Sequence, residues 1–473
     1  MASNLPDYVA AAQPVPPSNR IPWYKSTAQT YAGIMLWFVF WQSVPPAGAH
    51  AGGTLSQGLV VAFAGLIAAA LACHFLYYVV PGMMGLKTGL PLYIVGTSTY
   101  GALGGFLMPG FLMGVLQFGW LGVNAYFSAL LLAAPFYGGV AQATGTSLHF
   151  GIGIVWAIAA AFMGLKGIQY VARVATFLPL IPLTILIVLF VASMGGLGSF
   201  DAQKYVDIAK AAPDAAAAAP LSTWGVLASL LTVIIGFFAT AGAAGVDFGM
   251  NNRDGRDVQL GGLVGIAGAT IFAGGLALLI VAGTHGMGKG LDALEPTALM
   301  KELIGDKMAA VFWYLLAIAA FPPACFSALI AANSFKTTLP KVNPFISVGI
   351  GTLVSIILVV TKVAGSAGAV FVVIGASFGP VCGAMAADYL LAGKKWAGPR
   401  AGFNPAGWIS WAVGFVVGGF NLVAAQVGPL SQYGDLIPVP PLSALIVGFV
   451  LYLVLAKIGL QSRVLEMPAV KQK

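Results

Sequence analysis

The chain has 473 residues; 59% are hydrophobic, only 8% are charged, and the net charge is +8. A water-soluble fold of this length with so few charges would present one continuous apolar surface, so composition excludes a soluble globular protein and predicts an all-α polytopic membrane protein. The positive charge does not require a nucleic-acid partner, because its placement in loops accounts for it, and Cys73, Cys325 and Cys382 sit singly in apolar stretches and read as small core residues rather than metal ligands.

Residues 1–27 are polar and proline-bearing, lack the apolar core of a cleavable leader, and read as a disordered cytoplasmic tail with a short amphipathic lead, Ile21 to Lys25. Twelve apolar segments follow, each near the roughly 20 residues that cross a bilayer. They fall at about 28–50, 57–80, 105–134, 149–165, 171–194, 223–248, 259–284, 308–333, 345–362, 367–392, 405–426 and 440–459, and are called spans 1 to 12. A polar loop at 195–222, carrying the alanine run Ala215–Ala219, separates span 5 from span 6. With both termini on the cytoplasmic side, sixteen of the 22 basic residues fall on inner segments and six on outer ones, as the positive-inside rule requires.

Two spans read as broken. In span 1 the run Gln42-Ser43-Val44-Pro45-Pro46-Ala47-Gly48 cannot be one regular helix, since each proline removes a donor and clashes with the preceding turn. In span 6 the stretch Ile235 to Phe248 holds Gly236, Gly242 and Gly245 and closes on Asp247. Either the backbone breaks there beside a binding site, or the glycines only let helices pack closely. Spans 1 and 6 lie five apart and enter from opposite sides. This predicts two inverted five-span repeats, 28–194 and 223–392, followed by spans 11 and 12 within 393–460 and a cytoplasmic tail at 461–473.

Gln117, Trp120 and Asn124 in span 3 are spaced i, i+3, i+7 and so share one helix face. Two amides and an indole suit a flat heterocycle with polar edges; the alternative is hydrogen bonding between helices. Asp247 and Asp388 are acids at span ends; with Arg253 of the polar run after span 6 they suggest gating or helix-end ion pairs. In span 8, after Pro322-Pro323, Ser327 and Ala324 are candidates to hold a small hard cation with carbonyls freed at the span 1 break, around Val44 to Ala47. A serine bonded to its own helix is the simpler account. His50 and His74 could carry a proton or be structural. Two soluble-enzyme motifs fail on context. Gly375-Ala376-Ser377-Phe378-Gly379 lies inside a span, and Gly283 with Gly288-Lys289 lacks the Ser/Thr of a phosphate loop.

Gly379-Pro380-Val381-Cys382-Gly383-Ala384-Met385-Ala386-Ala387-Asp388-Tyr389, Val246-Asp247-Phe248, Gly119-Trp120-Leu121-Gly122 and the run Ser327 to Ser334 occur in an order and spacing that resemble the nucleobase–cation symport-1 family. The resemblance covers roughly 28–425. It implies a five-plus-five inverted-repeat fold and a heterocycle held between two aromatics, Trp120 and Phe238, with Gln117, Asn124 and Thr240 at its edge. It also brings in Asn333 as a substrate-side amide and Gln42 as the counterpart of a span 1 glutamine. The motifs sit closest to the cytosine-permease branch. Ala328 departs from the family, standing where some members carry a threonine sodium ligand, so the coupling ion is Na⁺ or H⁺. The expected protein is a secondary active transporter of the cell membrane that imports a nucleobase or related heterocycle, favouring a cytosine-like pyrimidine, with a cation. It would act as a monomer, without a cofactor and without nucleic acid. The same fold could instead carry allantoin, a hydantoin or a vitamin precursor. An intramembrane enzyme is disfavoured by four scattered histidines and the lack of paired carboxylates or an H-E-x-x-H motif.

Overall fold

The computed structural model describes residues 5–48, 50–211, 219–339 and 341–467. Ala215 to Ala218 of the alanine run, and Lys471 and Lys473 of the C-terminal tail, lie outside them. Among the described residues there is no strand, only two isolated bridges, Ile21 with Asn252 and Arg400 with Val464. Ten helices are long and apolar enough to cross a membrane: Gly58–Thr88, Phe106–Tyr137, Ser147–Lys166, Leu180–Ser199, Thr223–Ala243, Gly255–Gly286, Asp306–Lys336, Ala367–Leu391, Pro405–Gln426 and Pro440–Lys457. They fall on predicted spans 2 to 8 and 10 to 12. Span 9 is the shorter helix Pro344–Val360. Spans 6 and 10 form the centre, with 67% and 78% of their apolar windows buried, whereas span 11, at 22%, lies at the edge.

Span 1 departs from expectation. It consists of Thr27–Leu36 and Phe38–Gln42, joined at Trp37, whose φ of −60° and ψ of 128° are extended. The run at the double proline is not helical, as predicted, but a second interruption lies about two turns earlier. No glycine or proline marks it. The indole of Trp41 donates to the Leu36 carbonyl at 3.1 Å, so a side chain satisfies one acceptor that the interruption would orphan.

Span 6 departs in the opposite sense. Its helix is continuous from Thr223 to Ala243 and steps only at Ala244 into the short helix Gly245–Gly249. The glycines serve close packing. A Cβ on Gly236 would lie 2.5 Å from the Phe371 carbonyl of span 10, and one on Gly249 would overlap the Gly82 carbonyl of span 2. A helical glycine costs about 1 kcal/mol relative to alanine, which backbone-to-backbone contact offsets here. Span 5 also starts late: Ile168–Ala175 is a separate helix and the long helix begins at Leu180. Span 8 runs unbroken through Pro322 and Pro323, from Asp306 to Thr338.

The N-terminal segment is packed rather than a disordered tail. Leu5 and Val9 are buried, the Tyr8 hydroxyl donates to the Ala102 carbonyl, and the amides of Val15 and Ile21 donate to the carbonyls of Gly89 and Asn251, both at 2.9 Å. The segment therefore straps across the loop between spans 2 and 3 and the loop after span 6.

Candidate functional site

Spans 1, 3, 5, 6 and 8 enclose a cavity of about 920 Å³. Its exposed lining residues are Gln29 and Thr30 at the start of span 1, Thr176 at the start of span 5 and Ile330 in the last third of span 8, so the mouth is at the end of the molecule that carries the N-terminal strap. The opposite end is shut by Phe40, Trp41, Val44 and Trp313, all at most 2% exposed.

The helical spacing in span 3 places Gln117, Trp120 and Asn124 together on the cavity wall. Their chemistry there differs. The Asn124 amide is already spent: its Nδ2 donates to the Ala320 carbonyl at 2.9 Å, and its Oδ1 accepts from Trp156 Nε1 at 3.0 Å and from Ser128 at 3.4 Å. Ala320 is buried in span 8, so this bond ties span 3 to span 8. Among the described residues the Gln117 amide has one hydrogen-bond partner, the Met113 sulfur at 3.7 Å. The hydroxyls of Thr240 and Ser327 line the same cavity and make no hydrogen bond among the described residues.

Three rings meet on this wall. Trp120 lies 5.1 Å from Phe237 and 6.0 Å from Trp37, and Trp37 lies 6.1 Å from Phe237. Phe238, the expected second aromatic, is fully buried away from the cavity, its ring 5.7 Å from Tyr31. Its neighbour Phe237 takes the cavity position. Sequence reasoning missed Phe237 by one residue, which is about 100° around a helix, and missed Trp37, whose interruption carries no breaker residue.

Other expected residues lie elsewhere. Gln42 is buried outside the cavity and accepts from the Thr297 hydroxyl at 2.9 Å. Asn333 is exposed and outside the lining. The Val44 carbonyl accepts from the Thr54 hydroxyl at 3.0 Å, the Ala47 carbonyl from the His50 amide at 3.4 Å, and Ala324 is buried within span 8 away from the cavity. Ser327 is therefore the one expected cation-site residue on the cavity wall. It shares the cavity with Gly33, Ile34 and Leu36, the last turn of span 1 before Trp37. Neither His50 nor His74 lines the cavity; they bond the Ala219 carbonyl at 2.8 Å and Gln259 Oε1 at 3.2 Å.

Asp247 does line it, and its Oδ1 accepts from the Leu92 amide at 2.9 Å, tying span 6 to the loop between spans 2 and 3. Arg253 is outside, in a two-point pair with Asp257 at 2.7 and 3.1 Å; that carboxylate raises the guanidinium pKa further, so the pair stays charged. Asp388 is buried in a clasp, accepting from Arg400 at 3.1 Å and from the Tyr452 hydroxyl at 2.7 Å. Among the described residues no three His, Cys, Asp or Glu side chains converge as a metal site would require.

No curated protein sequence matches the chain. Among solved structures, Mhp1 in an inward-facing conformation aligns with a TM-score of 0.66 at 16% identity, covering 98% of this chain and 97% of that one. Mhp1 in a closed conformation with bromovinylhydantoin bound, described as a nucleobase-cation-symport-1 family transporter, gives 0.58 at the same identity and coverage. A Na⁺-coupled sialic acid symporter gives 0.50 at 14% identity, over 98% of this chain and 93% of that one. At these identities the likeness shows the fold. A family model described as permease for cytosine/purines, uracil, thiamine, allantoin matches residues 20–420, so the protein is a multi-pass membrane permease and not an enzyme. With that match over most of its length, and with the motifs of spans 3, 6, 8 and 10, the chain belongs to this permease family, the nucleobase–cation symport-1 family.

Proposed function

We propose that the protein imports a nucleobase or related flat heterocycle, a cytosine-like pyrimidine first, together with a cation by alternating access. The observation that carries this reading is the wall on which Trp120 and Phe237 meet beside the uncommitted Gln117 amide and Thr240 hydroxyl. Aromatic faces accept any base, at roughly 1–3 kcal/mol per stacked base, and the two polar groups supply a donor and acceptors for a ring edge. Ser327 and the carbonyls of the last turn of span 1 would hold the cation. This replaces the Val44–Ala47 site, because neither Val44 nor Ala47 lines the cavity that holds Ser327. Oxygen donors suit Na⁺; among the described residues Asp247 is the titratable group on the cavity wall and the candidate for H⁺ coupling instead.

The proposed topology has twelve spans, two inverted repeats and both termini inside, so the observed mouth would face the cytoplasm and the structure would be an inward-open state. The test is uptake of labelled cytosine into proteoliposomes under a sodium gradient, a proton gradient or neither. Uracil, hypoxanthine, allantoin and a hydantoin serve as unlabelled competitors. Gradient-driven accumulation that Trp120→Ala reduces at least tenfold supports the reading. Wild-type uptake by that variant removes the site. Transport of another ring from the panel keeps the mechanism and changes the cargo. The cavity is large enough for allantoin or a substituted hydantoin, which makes those the second reading.

A further inference from the structure

Trp37 is the one tryptophan among the described residues whose indole nitrogen is buried with no acceptor. Trp41, Trp156, Trp313, Trp396, Trp408 and Trp411 all donate, at 2.9 to 3.1 Å. A buried N–H without a partner lacks the bond it would make with water, which leaves Trp37 with a donor that an acceptor on a bound molecule can take up. Trp37 is also the residue at which span 1 leaves the helical conformation. A change in its own torsions can re-aim the ring without unwinding a helix on either side. Trp41 braces the chain just beyond, through the Leu36 carbonyl, which leaves Trp37 as the pivot. The ring already lines the cavity, against Trp120 and Phe237.

We propose that Trp37 reads the acceptor edge of the transported ring. With substrate bound, its indole N–H donates to a ring carbonyl oxygen beside the stacked face. The neighbouring polar groups cannot make this choice, because the Gln117 amide and the Thr240 hydroxyl both donate and accept. An indole only donates. It therefore rejects a ring that presents an N–H or nothing at that edge, and Trp37 acts as a specificity-determining residue. The proposal rests on the heterocycle-transport reading above.

The experiment measures binding to the purified full-length protein with paired probes that differ by one carbonyl: cytosine with 4-aminopyrimidine, uracil with 4-pyrimidinone, and hypoxanthine with purine. For whichever parent ring binds, the wild type is expected to prefer the parent. Trp37→Phe keeps an aromatic ring and removes the N–H; it is expected to shrink the preference in at least one pair by about tenfold, the worth of one hydrogen bond. Because the readout is a ratio within one variant, a general loss of folding cancels. Trp41→Phe removes an N–H that is already satisfied, and should lower the melting temperature while leaving every ratio in place. A parent that binds while every Trp37→Phe ratio stays at the wild-type value overturns the proposal and leaves the transport reading standing. Failure of all three parents, with allantoin and a hydantoin also inert, overturns the transport reading and the proposal with it.

Discussion

Gln117 and Asn124 carry the same functional group on the same helix face, yet they do different work. The Asn124 amide joins span 3 to span 8 through Ala320 and to span 4 through Trp156. Asn124→Leu strands both partners, and an unmade buried hydrogen bond costs roughly 1–3 kcal/mol, so the variant is expected to melt several degrees lower in a detergent thermal-shift assay. Gln117→Leu strands nothing but a sulfur contact. It should melt near the wild type and lose at least tenfold in apparent affinity for the transported ring in uptake titrations. The i, i+3, i+7 spacing could show that these residues share a face; it could not show which amide was spent, because that depends on which carbonyl and which indole the neighbouring spans bring alongside. The Phe237 and Phe238 pair has the same lesson. Likeness to a family sets a residue to within one position, and on a helix one position separates a cavity wall from a packed core.

The breaks in the spans were legible only where a breaker residue makes them. Pro45-Pro46 ends span 1 where the sequence says it must. The interruption at Trp37 depends on tertiary contacts and leaves no local signature, whereas the glycines of span 6 signal a break and deliver close contact instead. Beyond Pro46 the chain turns back under the control of Thr54. Its hydroxyl donates to the carbonyls of Val44 and Pro45 at 3.0 and 2.9 Å, and its amide donates to Pro45 at 2.8 Å. Thr54→Val conserves volume and removes the hydroxyl bonds alone. It is expected to loosen the shut end, so that a cysteine introduced by Val44→Cys reacts faster with a membrane-impermeant maleimide than it does in the Thr54 background.

Across the whole molecule, elements far apart in the chain are tied by buried polar groups. Asp388 is 1% exposed and draws together the end of span 10, Arg400 before span 11, and Tyr452 of span 12. Arg400 reaches on to the Ser98 carbonyl in the loop between spans 2 and 3. Removing one member of a buried ion pair leaves the other uncompensated, at about 3–5 kcal/mol. Asp388→Asn is therefore expected to reduce the yield of monodisperse protein on size-exclusion chromatography more sharply than Arg253→Gln, whose guanidinium is half exposed. Ten long apolar helices among the described residues were readable from hydropathy because lipid demands such helices. The strap formed by the first residues was not, because its hold is made of a few buried side chains and backbone bonds to distant loops.

The cavity opens past Gln29 and Thr176 and has a volume close to the upper end of that usual for drug-sized ligands. An inhibitor made of a stacking ring with a bulky tail would fit with its ring against Trp120 and its tail lying out past Gln29 and Thr176. Such a compound would be a sided blocker. Applied at the open face it should compete directly with the transported ring, while from the opposite face it should be inert until it crosses the bilayer. Dosing right-side-out and inside-out vesicles separately would reveal the asymmetry, and equal potency from both faces would mean that the tail has no need of that mouth.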